Sequence, residues 1–271
     1  MKPKIAVCQM RTEIDQTKSL EKAKTMLIEA ASSGAQVVVF PEMFNCPYSR
    51  KYFRKYAALG HEETVEIMSE LAHRNEVVLI GGSVPETEAG RIYNTCFVFN
   101  EKGQQIGRYR KLHLFDADLP EMHFHESATF APGDEICVFD TKYGKMGIAI
   151  CFDVRYPELF RAMSERGAKA IFLPAQFSVI SGSKYWELPL RARAIDTQAY
   201  IIGASAARYV GFDYESWGHS TVVDPRGDIV TSCDEKEQIL YAELDFDFLD
   251  KVRAGLPTAR GLRRDVYPVA D

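Results

Sequence analysis

The chain has 271 residues, 46% of them hydrophobic and 26% charged, the balance of a globular protein long enough to bury one large core. A net charge of −5 gives no electrostatic footprint for nucleic acid or an anionic membrane surface, and no apolar run approaches the length of a membrane span. The six cysteines are scattered without CxxC spacing, so they read as free thiols of a reducing, cytoplasmic compartment.

The first expected element is a strand over 5–9, whose run Ile5-Ala6-Val7-Cys8 is too short for a signal-peptide core. An amphipathic helix over 18–33 follows, with Leu20, Ala23, Leu27, Ala30 and Ala31 at helical spacing. A strand over 36–40 leads to a second helix marked by Val65, Met68, Leu71 and Ala72. Strands at 77–81, 95–100 and 104–109 come next. The last two are joined as a hairpin by the turn residues Asn100-Glu101-Lys102-Gly103. The segment His123-Phe124-His125 reads as a loop. A strand over 145–150 precedes a helix carrying Tyr156, Leu159, Phe160 and Met163, and a strand over 168–173 precedes one carrying Trp186, Leu190 and Ala194. Strands at 200–204, 220–223, 229–232 and 239–243 complete the chain, with Asp224-Pro225-Arg226-Gly227 as a second hairpin turn.

Strands alternating with helices indicate a layered α/β fold, and the hairpins make its sheets mixed. So many strands exceed what one open twisted sheet carries, which points to two packed sheets with helices outside: a four-layer α-β-β-α sandwich forming a single domain over 1–271.

Three apolar strands end in a residue that could react. Val37-Val38-Val39-Phe40-Pro41 runs into Glu42, Arg108-Tyr109-Arg110 into Lys111, and Met146-Gly147-Ile148-Ala149-Ile150 into Cys151. Sites in α/β proteins gather at the carboxyl ends of strands, so the three could share a pocket. Cys151, between a strand and a helix, could be a nucleophile whose thiolate a helix N-terminus and a nearby lysine favour, or a core cysteine. Glu42 could be a buried base or a turn residue, and Lys111, in a basic cluster, reads by itself as solvated surface.

Taken together and in order, Phe40-Pro41-Glu42, Tyr109-Arg110-Lys111-Leu112-His113-Leu114 and Ile150-Cys151-Phe152-Asp153-Val154-Arg155-Tyr156-Pro157-Glu158 resemble the three catalytic motifs of the nitrilase superfamily of carbon–nitrogen hydrolases. The resemblance runs from Ile5 to Tyr267. Within the superfamily the residues are most similar to the omega-amidase (2-oxoglutaramate amidase) group, through Phe44-Asn45-Cys46-Pro47-Tyr48, Tyr93-Asn94-Thr95 and Trp217-Gly218-His219-Ser220-Thr221. The chain departs from it at Gly182-Ser183-Lys184-Tyr185-Trp186-Glu187, where the family often has Gly-Pro-Ala-His-Trp-Glu.

The resemblance implies Cys151 as nucleophile, Glu42 as general base, Lys111 as oxyanion-stabilising cation and Glu126 as support for the lysine. It also implies a small-molecule amide substrate, no cofactor, and a homodimer or larger assembly. Beside it, Arg155 is a candidate carboxylate receptor, with a salt bridge to Glu158 or Asp153 as the alternative. The Phe152 backbone is a second oxyanion donor, and Tyr48 and Tyr52 are expected to line the pocket. Deaminated glutathione amidases and N-carbamoyl amidohydrolases share the three motifs. Other readings are zinc on His123 and His125 with Glu121 or Glu126, Cys151 paired with His113 or His219, and a non-catalytic binding module on the same fold.

Overall fold

A computed structural model of the chain describes residues 2–209, 214–263 and 265–266; Tyr267, the end of the resembling span, lies outside them. In chain order the elements are β1 (Lys4–Gln9), α1 (Gln16–Ser32), β2 (Val37–Val39), α2 (Arg50–Ala57), α3 (Glu62–Arg74), β3 (Val78–Ile80), β4 (Val84–Glu88), β5 (Arg91–Phe99) and β6 (Gln105–Arg110). There follow β7 (Asp116–Leu119), β8 (Met122–His125), β9 (Cys137–Thr141), β10 (Gly144–Ile148), α4 (Pro157–Glu165), β11 (Ala170–Ala175) and α5 (Val179–Tyr185). The last are α6 (Glu187–Thr197), β12 (Tyr200–Ser205), β13 (Thr221–Val223), β14 (Ile229–Ser232), β15 (Gln238–Glu243) and α7 (Phe246–Gly255).

Two mixed sheets form, as the strand count requires. The first orders its strands β15-β1-β2-β3-β5-β4, with β6 also on β5; the second runs β14-β13-β12-β11-β10-β9. In each, three central strands are parallel and the flanks antiparallel. Both hairpins expected from turn chemistry are present, β5–β6 and β13–β14.

Alternation along the strands builds the layers. Ile5, Val7, Val37, Val39, Val78 and Ile80 face the second sheet and join its Met146, Ile148 and Phe172 in one core. Ala6, Cys8, Val38 and Leu79 face the other way, against Ala23, Leu27 and Ala30 of α1 and Met68, Leu71 and Ala72 of α3. Leu159, Phe160 and Met163 of α4 and Leu190 and Ala194 of α6 belong to the core of the second sheet. Strands buried on both faces read as continuous apolar runs, which is why β1, β2 and β11 are legible in the sequence.

Local chemistry sets the helix ends. Asp15 caps α1 by accepting from the Thr17 N–H at 2.9 Å, and Pro157 opens α4, where its missing N–H costs nothing. Sequence periodicity misses β4, β7, β8, β9, α2, α5 and α7. The expected loop at 123–125 is instead β8, paired with β7 in a hairpin whose residues are mostly exposed. Its alternation is brief, Met122 and Phe124 on one side and His123 and His125 on the other, and the apolar side packs on an aromatic cluster rather than on a sheet. For α7, the cap signal was available: Asp245 accepts from the N–H groups of Asp247 and Phe248.

Candidate active site

Glu42 leaves β2 through Phe40 and Pro41. The exit of β3 passes so close beneath this turn that a Cβ on Gly82, at φ +61°, would lie 2.3 Å from the Pro41 carbonyl oxygen, so only glycine fits. Asn94 on β5 ties two functional residues together. Its side-chain amide donates to Glu42 Oε1 at 2.8 Å, and its carbonyl accepts the Lys111 N–H at 2.9 Å. Gly133 then accommodates the following turn, donating its N–H to the Lys111 carbonyl at 2.9 Å in a space where a Cβ would lie 2.3 Å from the Arg110 oxygen.

Cys151 follows β10 and opens a 3-10 turn, Cys151–Arg155. Its φ of +49° is unusual for a side-chain-bearing residue and aims the thiol off the strand end. Asp153, wholly buried, holds this geometry by accepting four hydrogen bonds: from Ile150 N–H (2.8 Å), His113 N–H (3.0 Å), His113 Nδ1 (2.8 Å) and the Tyr109 hydroxyl (2.7 Å). Asp153→Asn turns half of that acceptor into a donor facing donors. It is expected to cost about 3 kcal/mol of stability, measured by urea unfolding. An unchanged midpoint would show that the turn does not depend on this carboxylate.

The charged groups converge without solvent. Glu42, Lys111 and Glu126 are each 0% exposed. Lys111 Nζ lies 2.8 Å from Glu42 Oε1 and 2.8 Å from Glu126 Oε2. Glu126 also accepts from the Tyr48 hydroxyl at 2.6 Å and from the Phe115 N–H at 2.6 Å. The other oxygen of Glu42, Oε2, accepts the Gln176 N–H at 3.0 Å, and the Cys151 thiol lies near enough to the same carboxylate for the two to shift each other's protonation.

Burial opposes charge on Lys111, but Glu126 and Glu42 outweigh it and hold the ammonium well above its usual range. Burial raises Glu42; Lys111 pulls it back and Glu126 pushes it up again, leaving it above an ordinary carboxyl. The expectation of a Cys151 thiolate favoured by helix and lysine is corrected. Burial and then Glu42 raise the thiol well above its usual value, and Lys111 offsets them only in part. Two carboxylates flank the one lysine, so a thiolate would be a third anion around one cation. Burial and the carboxylates therefore favour the thiol over the thiolate, and the carboxyl beside it is itself raised.

A cavity of about 470 Å³ opens on Cys151. Phe152 and Arg155 line it, joined by Tyr214, Phe177 and the β7–β8 hairpin. Arg155 has no salt bridge to Glu158 or Asp153; its guanidinium stands over the Tyr185 ring at 4.5 Å. Tyr48 and Tyr52 are not on this wall. Tyr48 is buried with its hydroxyl spent on Glu126, and Tyr52 on α2 packs with the aromatic cluster around Phe53 and Phe124. Lys111 is a buried ion-pair member rather than solvated surface.

The Cys–His arrangement does not form: His113 pairs with Asp153 and stacks on Tyr156 at 3.5 Å, and His219 Nδ1 meets the Trp217 carbonyl. His123 and His125 do share a strand face, but they meet Asp118 at 3.2 and 3.1 Å, while Glu126 is committed to Lys111 and Tyr48. Sequence reasoning missed Asn94, Asp153, Gln176 and Tyr214 as parts of the site. Asp153, two residues past the nucleophile in an apolar run, was the one with a local signal.

The arrangement gathers a buried thiol, two carboxylates and an ammonium beside one small space, a set of groups that suits acyl transfer from a carbonyl. A family model described as Carbon-nitrogen hydrolase matches residues 4–254. The chain is 41% identical over 267 residues to "Omega-amidase NIT2" of Mus musculus, covering 98% of this chain and 97% of the relative. It is 41% identical over 269 residues to "Omega-amidase NIT2-A" of Xenopus laevis, covering 99% and 98%. Among solved structures, that of Saccharomyces cerevisiae Nit3, titled a member of branch 10 of the nitrilase superfamily, superposes with a TM-score of 0.87 at 39% identity, covering 94% of each chain. With the fold, the motif order and the family match in agreement over nearly its whole length, the chain belongs to the carbon–nitrogen hydrolase family.

Proposed function

We propose that the protein is an omega-amidase, which hydrolyses the terminal amide of a small carboxylate-bearing substrate such as 2-oxoglutaramate or 2-oxosuccinamate to the acid and ammonia. The observation that carries this reading is the buried Glu42–Lys111–Glu126 chain meeting Cys151 in a cavity whose wall presents Arg155, a cation with no carboxylate partner among the described residues. The similarity to omega-amidases supports the substrate class.

In this reading Glu42 takes the Cys151 proton as sulfur attacks the amide carbon. The charge that moves to the carbonyl oxygen is met by the third N–H of Lys111, whose other two face carboxylates, and by the Phe152 N–H at the start of the 3-10 turn, where backbone donors lack helical partners. The carbon–nitrogen bond then breaks and Glu42 passes its proton to the departing amine, giving ammonia and a Cys151 thioester. Water enters, Glu42 removes its proton, and the hydroxyl adds to the thioester carbon. Collapse releases the acid, and the sulfur recovers a proton from Glu42. Side chains supply the nucleophile and each proton transfer, so no cofactor is called for.

The direction of the Glu42 shift fixes the sign of the pH dependence. Below its raised pKa Glu42 is protonated and cannot accept the thiol proton, so kcat/KM is expected to rise with pH along a limb lying above the ordinary carboxyl value of 4.5. No loss from neutralising Lys111 is expected until well above 10.5. A pH–rate profile reads this directly, and an acid limb at or below 4.5 would remove Glu42 from the role of base.

The substrate is tested by ammonia release from 2-oxoglutaramate. Arg155→Ala is expected to raise KM for that substrate about tenfold or more, and far more than for a neutral amide of similar size. Equal losses on the two would sink the carboxylate reading. We also take the chain as one catalytic domain of the cytoplasm, consistent with free cysteines throughout, and as a homodimer or larger assembly. Exposed Leu188 and Ile195 of α6 share a groove with Ile229 of β14, an apolar face suited to self-association. Light scattering of a purified monomer would retire the assembly.

A further inference from the structure

One wall of the Cys151 cavity is built by the 3-10 turn and by α5, which contribute Arg155 from the first and Lys184 and Tyr185 from the second. The β7–β8 hairpin contributes Asp116, Asp118 and Glu121 to the same cavity. Asp116 is engaged by the Ser127 N–H at 3.0 Å and Asp118 by both His123 and His125. Arg155 lines the same cavity as these carboxylates, makes no salt bridge with them, and keeps its guanidinium carbon 4.5 Å from the Tyr185 ring centroid.

Tyr185 is 41% exposed, so core burial does not account for its place. Its neighbour Trp186 anchors the end of α5: it is 3% exposed, packs edge-on against Phe177 at 5.2 Å, and donates Nε1–H to the His219 carbonyl at 2.6 Å. The aromatic ring is thereby held at the cavity rim. A guanidinium covered on its face by an aromatic ring keeps its in-plane N–H fork free, which is the geometry that grips a carboxylate.

We infer that Tyr185 is the positioning residue that sets substrate preference: its ring holds Arg155 away from the hairpin carboxylates with its donors presented to the acid end of the substrate. The inference rests on Arg155 as the carboxylate receptor proposed above. Neutral amides draw nothing from this arrangement. Removing the ring frees Arg155 to pair with the acidic hairpin and hides it from substrate.

Two readouts test it. Glutarate, an acid with no amide to cleave, is used to protect Cys151 against iodoacetamide, with the alkylated peptide followed by mass. Tyr185→Ala is expected to weaken protection about fivefold or more, while Tyr185→Phe, which keeps the ring face, stays within about twofold of wild type. In turnover, Tyr185→Ala raises the ratio of KM for 2-oxoglutaramate to KM for a neutral amide by a similar factor and leaves the ratio of their kcat values in place. In an Arg155→Ala background Tyr185→Ala adds no further loss. Equal weakening by alanine and phenylalanine overturns the inference, as does an additive loss in the double variant or a wild-type enzyme that glutarate does not protect. Glutarate protection that responds to Tyr185→Ala, in an enzyme that releases no ammonia from 2-oxoglutaramate, retires the substrate assignment and supports the role of Tyr185.

Discussion

Cys151→Ala is expected to lower ammonia release by about four orders of magnitude or more, to the level of the uncatalysed reaction within assay noise. The reason is that nothing else in the cavity can form the thioester. Cys151 is the one thiol among the residues that line the cavity, whose other polar side chains are the acids Asp116, Asp118 and Glu121, the hydroxyls of Ser181, Tyr185 and Tyr214, and the cations Arg155 and Lys184. The variant should fold. Alanine inherits the φ of +49° that cysteine already tolerates there, so the backbone strain is common to both proteins, and the turn is held from Asp153 rather than from the thiol. Matching thermal midpoints with a lost rate would locate the defect in chemistry. Release that survives in Cys151→Ala would overturn the mechanism.

Lys111→Met has the largest expected effect on stability as well as a large one on rate. Methionine approximates the shape of the lysine but leaves the Glu42 and Glu126 carboxylates buried against each other with no cation between them. Removing one member of a buried ionic group in this way costs about 3–5 kcal/mol. The pH dependence follows from the direction of the shifts. In the wild type Lys111 is raised well above 10.5, so its contribution is complete below 10.5 and is lost only as pH climbs through the higher folded value. The deficit of the variant therefore spans the neutral range. It should narrow toward acid pH, where protonation of a carboxyl relieves the repulsion. Urea unfolding at pH 5 and pH 8 measures this, with the larger loss expected at the higher pH. A variant as stable as wild type at both would mean that the carboxylates do not depend on the lysine. Loss of an oxyanion partner adds a rate defect of about a hundredfold or more.

The two experiments separate the roles that one buried constellation combines. In the proposed mechanism cysteine carries the bond-making, and its removal is expected to spare the ion pairs. Lysine carries the electrostatics, and its removal is expected to damage the fold and the transition state together. Asp153 belongs to neither group. It holds the turn that carries Cys151 through four donors drawn from three residues, Tyr109, His113 and Ile150.

What the sequence determined by itself is local in character. Continuous apolar runs ending in Glu42 and Cys151 mark strands buried on both faces, Asn100-Glu101-Lys102-Gly103 and Asp224-Pro225-Arg226-Gly227 mark hairpin turns, and the order of the three motifs marks the family. Each strand, turn and single motif is written within a dozen residues, where periodicity and turn chemistry act. What only the tertiary structure decided depends on residues that meet across long separations. β15 closes the first sheet against β1 from the far end of the chain. Tyr48, expected on the cavity wall, lies behind it because Glu126 claims its hydroxyl. Lys111, a surface residue by its basic neighbours, is buried because Glu42 and Glu126 arrive from elsewhere to pair with it. The protonation of Cys151 was decided in the same way. A helix start and a lysine are visible in the sequence and argue for a thiolate, but the fold buries the sulfur, which raises the thiol first, and sets Glu42 beside it, which adds more than Lys111 takes away.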